Sequence, residues 1–161
     1  MNIAEFLGKT SVGGRVLFVG KPENALALAE KLGLSEIHLA DDDPDALAKA
    51  VESSGGVKIT PVYTRVVERF VELPSSSFDA VVALHVLERA LNKRAFMTEA
   101  RRVLRMGGKL IIVERLRTIF RRRGVRKNDL EKLLETAGFK TEFRKLGGGV
   151  SVVYLIKTGT G

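Results

Sequence analysis

Four short patches of this chain hold residues whose types and spacing could do chemistry. Gly20 closes the apolar run Val16-Leu-Phe-Val and opens the turn Gly20-Lys-Pro-Glu-Asn. A glycine there lets a ligand approach the backbone closely. Asp41 follows 21 positions later, at the head of Asp41-Asp-Asp-Pro. A carboxylate at this distance from the first turn can accept hydrogen bonds from ribose hydroxyls. His85, one of two histidines, follows the apolar run Ala80–Leu84. It could act as a general base near neutral pH, with Glu88 a weaker candidate; the bland alternative is a histidine at a strand end with no proton to move. The last patch is Arg115–Lys127, with Arg115, Arg117, Arg121, Arg122, Arg123, Arg126 and Lys127. Seven positive charges suit a phosphate-rich partner such as nucleic acid, and equally a solvated basic loop. Phe120 could stack on a base or plug the core.

The elements that must position these patches follow from periodicity. Short apolar runs bounded by turn residues predict strands at Arg15–Val19, Glu36–Ala40, Val57–Tyr63 (interrupted by Pro61), Ala80–Leu84 and Leu110–Glu114. Between them the 3.6-residue period predicts helices. Pro22 fits the first turn of one, Gly33 its left-handed end, and Asp43-Pro44 caps the next. Asn2–Leu7 reads as a short amphipathic helix, and Arg65–Glu72 as a short helix. Phe96, Met97, Ala100, Val103 and Leu104 mark the helix after the fourth strand. Asn128 and Glu131 read as a cap and its partner for the last helix. Gly147-Gly-Gly joins Lys140–Leu146 and Val150–Lys157 into a hairpin. Alternating strands and helices call for a three-layer α/β fold with a mostly parallel sheet. The closing hairpin adds an antiparallel strand beside the fifth.

Composition bounds the rest. A chain of 161 residues reads as one domain over 1–161, with a helix and linker at 1–14 and a core at 15–157. There is no cysteine, which excludes disulfides, thiolate metal sites and cysteine nucleophiles. No apolar run approaches the ~20 residues of a membrane span, and no signal peptide is legible. The default expectation is a cytoplasmic protein without membrane contact. Residues 1–80 hold 8 Lys and Arg against 12 Asp and Glu, whereas residues 81–161 hold 19 against 7. A basic second half can attract phosphates or an acidic surface.

Two longer motifs carry a resemblance. Phe78-Asp-Ala-Val-Val-Ala-Leu-His-Val-Leu-Glu-Arg, and later Arg102-Val-Leu-Arg-Met-Gly-Gly-Lys-Leu, resemble the fourth and fifth strands of the class I, Rossmann-like S-adenosylmethionine-dependent methyltransferases. Asp41, Pro44 and Leu47 resemble that family's Asp-x-x-Pro-x-x-Leu ribose element. The likeness spans roughly Arg15 to Lys157 and implies a seven-stranded, mostly parallel sheet whose last strand is antiparallel. It implies S-adenosylmethionine as cofactor, with Val19, Gly20 and Lys21 at its amino-acid end, Asp41 and Asp42 at ribose and adenine, and Leu84 with His85 lining the methyl site. The Gly107-Gly108 pair reads as architectural, permitting the helix-to-strand reversal. The departures are Phe18 for the strand's acidic residue, Pro22 and Asn24 for two glycines, Asp42 for an apolar residue, and Leu87-Glu-Arg89 for Leu-Glu-His. After the third strand, Tyr63 and Thr64 stand where the family often has an acid that meets the adenine amine; Glu68 is nearby in sequence and reads equally well as a surface residue of a short helix.

The resemblance implies methyl transfer to an unidentified acceptor by in-line displacement, which needs positioning more than a fixed catalytic residue. Arg117, Arg121, Arg122 and Arg123 are candidate contacts for that acceptor or for nucleic acid. The alternative is a non-catalytic binding or scaffold protein on the same fold, favoured by the departures. In either case a homodimer or a partner protein is left to supply the acceptor wall. A nicotinamide-dependent enzyme would need Gly-x-Gly-x-x-Gly, which is absent.

Overall fold

Apolar strands buried on both faces need a layer on each side, and that requirement shapes this molecule. The computed structural model describes residues 3–10, 12–70, 72–117, 124–135, 138–147 and 150–159. The elements run α1 (Ile3–Lys9), β1 (Val16–Val19), α2 (Pro22–Lys31), β2 (Glu36–Asp41), α3 (Pro44–Glu52), β3 (Lys58–Tyr63), β4 (Phe78–Leu84), α4 (Lys93–Val103), β5 (Leu104–Arg115), α5 (Lys127–Leu134), β6 (Phe139–Gly147) and β7 (Val150–Lys157). The seven strands form one sheet in the order β3-β2-β1-β4-β5-β7-β6. The pairs from β3 through to β5 are parallel, and β7 runs antiparallel to both β5 and β6. The antiparallel last strand is therefore as expected.

The period of two sorts each strand between two cores. Leu17, Val19, Val81, Ala83, Leu110 and Ile112 face one core with Phe96, Met97 and Ala100 of α4 and Leu130 and Leu133 of α5. Val16, Phe18, Ala80, Val82, Leu84, Ile111 and Val113 face the other, with Leu7 of α1, Ala25 and Leu26 of α2 and Leu47 and Ala50 of α3. Phe18 is fully buried there, so a ring fills the place of the family's acidic residue. Truncating Phe18 or Phe96 to Ala is expected to cost about 3–5 kcal/mol.

Four local readings need correction. Pro61 does not interrupt β3, which pairs with β2 from Lys58 to Tyr63. β3 lies at the sheet edge, where a residue without an N–H is tolerated. Residues 65–70 and 72 form bends, a turn and irregular chain rather than a helix. Arg102 holds that segment, donating to the carbonyls of Phe70 and Leu73 at 3.1 and 2.7 Å. The cap of α5 is Arg126, not Asn128, which lies inside the helix. Finally, α4 meets β5 directly at Leu104, and the two glycines sit in a bulge after it, where the register against β4 jumps from Phe78–Leu104 to Ala80–Lys109. Gly107 has φ +77° there, and a Cβ on Gly108 would lie 2.7 Å from the Arg105 carbonyl oxygen. Among the described residues no helix is long and apolar enough to cross a membrane.

Candidate active site

The carboxyl ends of β1, β2, β4 and β5 lie side by side, because these strands are parallel neighbours. In open α/β sheets ligands bind outside these ends, where the strand order reverses. Here the reversal falls at β1, between β2 and β4. Val19 is the last residue of β1 and is fully buried. Gly20 follows with φ +83°, and its N–H donates to the Ala40 carbonyl at 2.9 Å. A Cβ on Gly20 would lie 2.6 Å from the Leu84 carbonyl oxygen. So this glycine is needed for the close approach of the β1 turn to the end of β4. Lys21 takes a left-handed conformation, φ 45° and ψ 65°, as the N-cap of α2, and no side chain caps that helix. Pro22 in the first turn brings no N–H of its own. The orphan N–H groups of the first turn thus have no side-chain cap to satisfy them.

Asp41 ends β2 and is only 2 % exposed. One carboxylate oxygen accepts from the Arg89 Nη1 at 3.1 Å, and the other from the Asp43 N–H at 3.3 Å. Arg89 Nη2 pairs with Asp42 in turn. Burial pulls the Arg89 pKa down, but Asp41 and Asp42 outweigh it and raise the guanidinium above its ordinary value. An ionised carboxylate offers about four acceptor directions. Two hydrogen bonds reach Asp41 from the described residues. Room for hydroxyl donors therefore remains, and the residues fit a ribose. Asp43 caps α3, accepting from the N–H groups of Asp45 and Ala46.

Leu84 is buried and His85 half-buried at the end of β4. His85 has φ +54°, unusual for a residue with a side chain, and its N–H donates to the Val113 carbonyl at 2.8 Å. Burial lowers its pKa; Glu88 opposes this, while Lys21 and Arg115 add to it. The imidazole is therefore neutral at pH 7 and able to accept a proton. Glu88 is half-buried, with one carboxylate oxygen that has no protein partner.

Three residues that sequence reasoning passed over or misplaced hold this edge together. Arg89 joins the loop after β4 to the end of β2 across 48 positions. Its signal was the departure from Leu-Glu-His. Glu68 is not on a surface: it is 2 % exposed and accepts from the Asn92 N–H at 3.2 Å, while the Asn92 side chain caps α4. Glu114, fully buried at the end of β5, accepts from the Leu87 N–H at 2.6 Å. Burial, with the nearby charge of Glu88, pushes its carboxyl up to about 8, against the pull of the Leu87 and Glu88 N–H groups and Lys93. Its signal was a lone acid closing an apolar strand. Thr64, next to Asp41 in the structure through a 3.0 Å backbone bond, is buried with its hydroxyl unpartnered.

Of the basic patch, Arg115, Arg117, Arg126 and Lys127 are exposed. The neck of that segment is tied: Arg117 N–H donates to Val125 and Val125 N–H to Arg115, each at 2.8 Å. Arg121, Arg122, Arg123 and Phe120 lie outside the described residues. No group of three or more His, Cys, Asp or Glu among the described residues could hold a metal ion.

Residues 19–112 match the family model described as a methyltransferase domain. No curated protein matches the chain in sequence. Solved structures match its fold over nearly its whole length. A SAM-dependent methyltransferase from Aquifex aeolicus is 18 % identical, with TM-score 0.76, covering 97 % of this chain and 90 % of that one. The [4+2]-cyclase SpnF is 17 % identical, with TM-score 0.79, covering 97 % and 80 %. A chain in the complex of the Haloferax volcanii Trm112 methyltransferase activator with a methyltransferase is 11 % identical, with TM-score 0.75, covering 97 % and 89 %.

Proposed function

The chain belongs to the methyltransferase domain family, and from that premise we propose that it binds S-adenosylmethionine at the carboxyl ends of β1, β2 and β4. The group would supply an activated methyl on sulfur. The observation that carries this reading is Asp41, a buried carboxylate closing β2 with acceptor capacity to spare. Asp41 would take the ribose hydroxyls, with Asp42 and Arg89 flanking it. Val19, Gly20 and Lys21 would present backbone to the amino-acid end, beside the uncapped start of α2. Leu84 and His85 would wall the methyl side. These residues bind and orient, and bringing the acceptor into line is the main task left to the protein.

Calorimetry with S-adenosylmethionine and S-adenosylhomocysteine tests this. We expect micromolar binding that Asp41→Ala weakens at least about a hundredfold. Absence of binding at millimolar cofactor would sink it.

One observation favours a second reading, a binding or scaffold protein on the same fold. Arg89 already occupies Asp41 and Asp42 from within the chain. SpnF supports the general point that this fold serves reactions other than methyl transfer. In that reading the exposed Arg115, Arg117, Arg126 and Lys127 would meet a partner protein or nucleic acid, with Arg121, Arg122 and Arg123 adding to them. The complex from Haloferax volcanii supports a partner protein as a general option for such a domain, and a homodimer is the other source of a missing wall.

A further inference from the structure

A groove of about 310 Å³ lies between α1, α2 and the end of β4, and His85 forms part of its floor. Its wall on α2 is one helical stripe: Asn24, Ala27, Leu28 and Lys31 recur at the spacing that places side chains on a single face. Ile3 of α1 and Leu84 of β4 complete an apolar body. The charges are arranged by end. Lys31 stands at the far end of the stripe, about seven residues or roughly 10 Å along the axis from Asn24. Glu23 lies on the near rim, beside the cofactor turn. His85 sits at the near end, and its left-handed backbone is held by the hydrogen bond to Val113. A residue with a side chain is uncommon at φ > 0, and such conformations gather at functional sites.

The charged groups that act on His85 come from three elements: Lys21 from the turn before α2, Glu88 from the loop after β4 and Arg115 from the end of β5. Glu23 and Lys31 of α2 line the same groove. Two cations near a neutral imidazole suit an acceptor that becomes anionic as its proton leaves. The volume is at the small end for ligand pockets and matches a single aromatic ring with a short side arm.

We propose that this groove is the methyl-acceptor site, and that it takes a small hydroxylated aromatic acid: a ring in the apolar body, a phenolic hydroxyl at His85 and a carboxylate at Lys31. This rests on the methyltransferase reading above. In the reaction, the acceptor's oxygen forms the new bond to the methyl carbon. Its proton passes to the His85 imidazole and then to solvent. The carbon–sulfur bond breaks with its electron pair retained on sulfur. The products are a methyl ether, a thioether and one proton.

The test uses 3-(4-hydroxyphenyl)propionate as probe, without cofactor first. Titration followed by backbone amide NMR should perturb Asn24, Lys31 and His85. Ala27→Trp should abolish the perturbation by filling the groove, and Lys31→Glu should weaken binding roughly tenfold or more. Probe binding that ignores both changes, or no binding at millimolar probe, overturns the proposal. Cofactor calorimetry on the same variants separates the two readings: affinity should stay within about twofold, because neither residue contacts the proposed cofactor site. His85→Gln should then bind cofactor and probe but lose most transfer to the probe. It should also lose the rise in rate that the wild type shows as His85 deprotonates below pH 6.5. Unchanged transfer in His85→Gln would remove the base role. Cofactor binding lost in the wild type would instead strike the methyltransferase reading and leave the probe titration to stand or fall alone.

Discussion

Two carboxylates at the same edge of one sheet meet opposite circumstances. Asp41 is the last residue of β2 and Glu114 the last but one of β5, and both are almost wholly buried. Asp41 has a guanidinium 3.1 Å away and a backbone N–H beside it. Glu114 has backbone N–H groups but, among the described residues, no cation in contact, and the nearby charge of Glu88 opposes its own ionisation. Its carboxyl therefore stays protonated to about pH 8. Burial alone does not decide what a carboxylate does; the cation within reach does. The paired one remains an acceptor that a ligand can use. The unpaired one acts as a neutral tie between the end of β5 and the loop after β4.

The largest way to break this contrast is Glu114→Gln. A carboxyl whose pKa rises on folding keeps a proton that the unfolded chain releases. Between about pH 4.5 and 8 the native state binds more protons, so this group's contribution to stability falls as pH rises. The glutamine stays neutral and keeps an acceptor for Leu87. The variant should match the wild type near pH 4 and exceed it by on the order of 3–4 kcal/mol at pH 8, read by denaturant melts across that range. Parallel pH dependence in the two proteins would mean Glu114 is ionised in the fold.

Arg89→Met tests the other side. It leaves Asp41 buried without its cation and should cost about 2 kcal/mol at pH 7, because Arg89 itself is partly solvated. Adding Asp41→Asn should recover most of that loss. A double mutant no better than the single one would show that Arg89 acts through packing instead of charge. The smallest effect belongs to Asp43, the exposed member of the aspartate run. Asp43→Ala removes the cap of α3 and should cost about 1 kcal/mol with no change in cofactor binding. The variant keeps the N–H at position 43, so a loss of cofactor affinity would mean that the α3 cap itself holds the ribose acceptor in place.

Local chemistry was enough for much of this protein. Apolar runs, helical stripes and turn residues placed all seven strands; for β1 and β4 the signal was strongest, because burial on both faces of a parallel sheet demands continuous apolar residues. Asp43 as a cap, Pro22 in a first turn and Gly33 with φ +70° were legible because caps and turns are settled within a few residues. The antiparallel β7 was legible because a short glycine turn can only reverse the chain. The positions of Gly20, Asp41, Leu84 and His85 followed from the strands whose ends they occupy.

What the sequence left open were contacts between residues far apart along the chain. Residues 65–70 have helical composition, yet Arg102 and the loop before α4 hold them in turns, at separations of 24 to 32 positions. Glu68 looked like surface until Asn92 took its carboxylate. Arg89 met Asp41 only because the parallel pairing of β1 with both β2 and β4 sets their carboxyl ends next to each other. Glu114 became a neutral acid only when the fold removed water from it and set Glu88 nearby. A sequence specifies which groups can ionise or donate; the tertiary structure decides which of them share a low-dielectric space, and so which stay charged and available to a ligand.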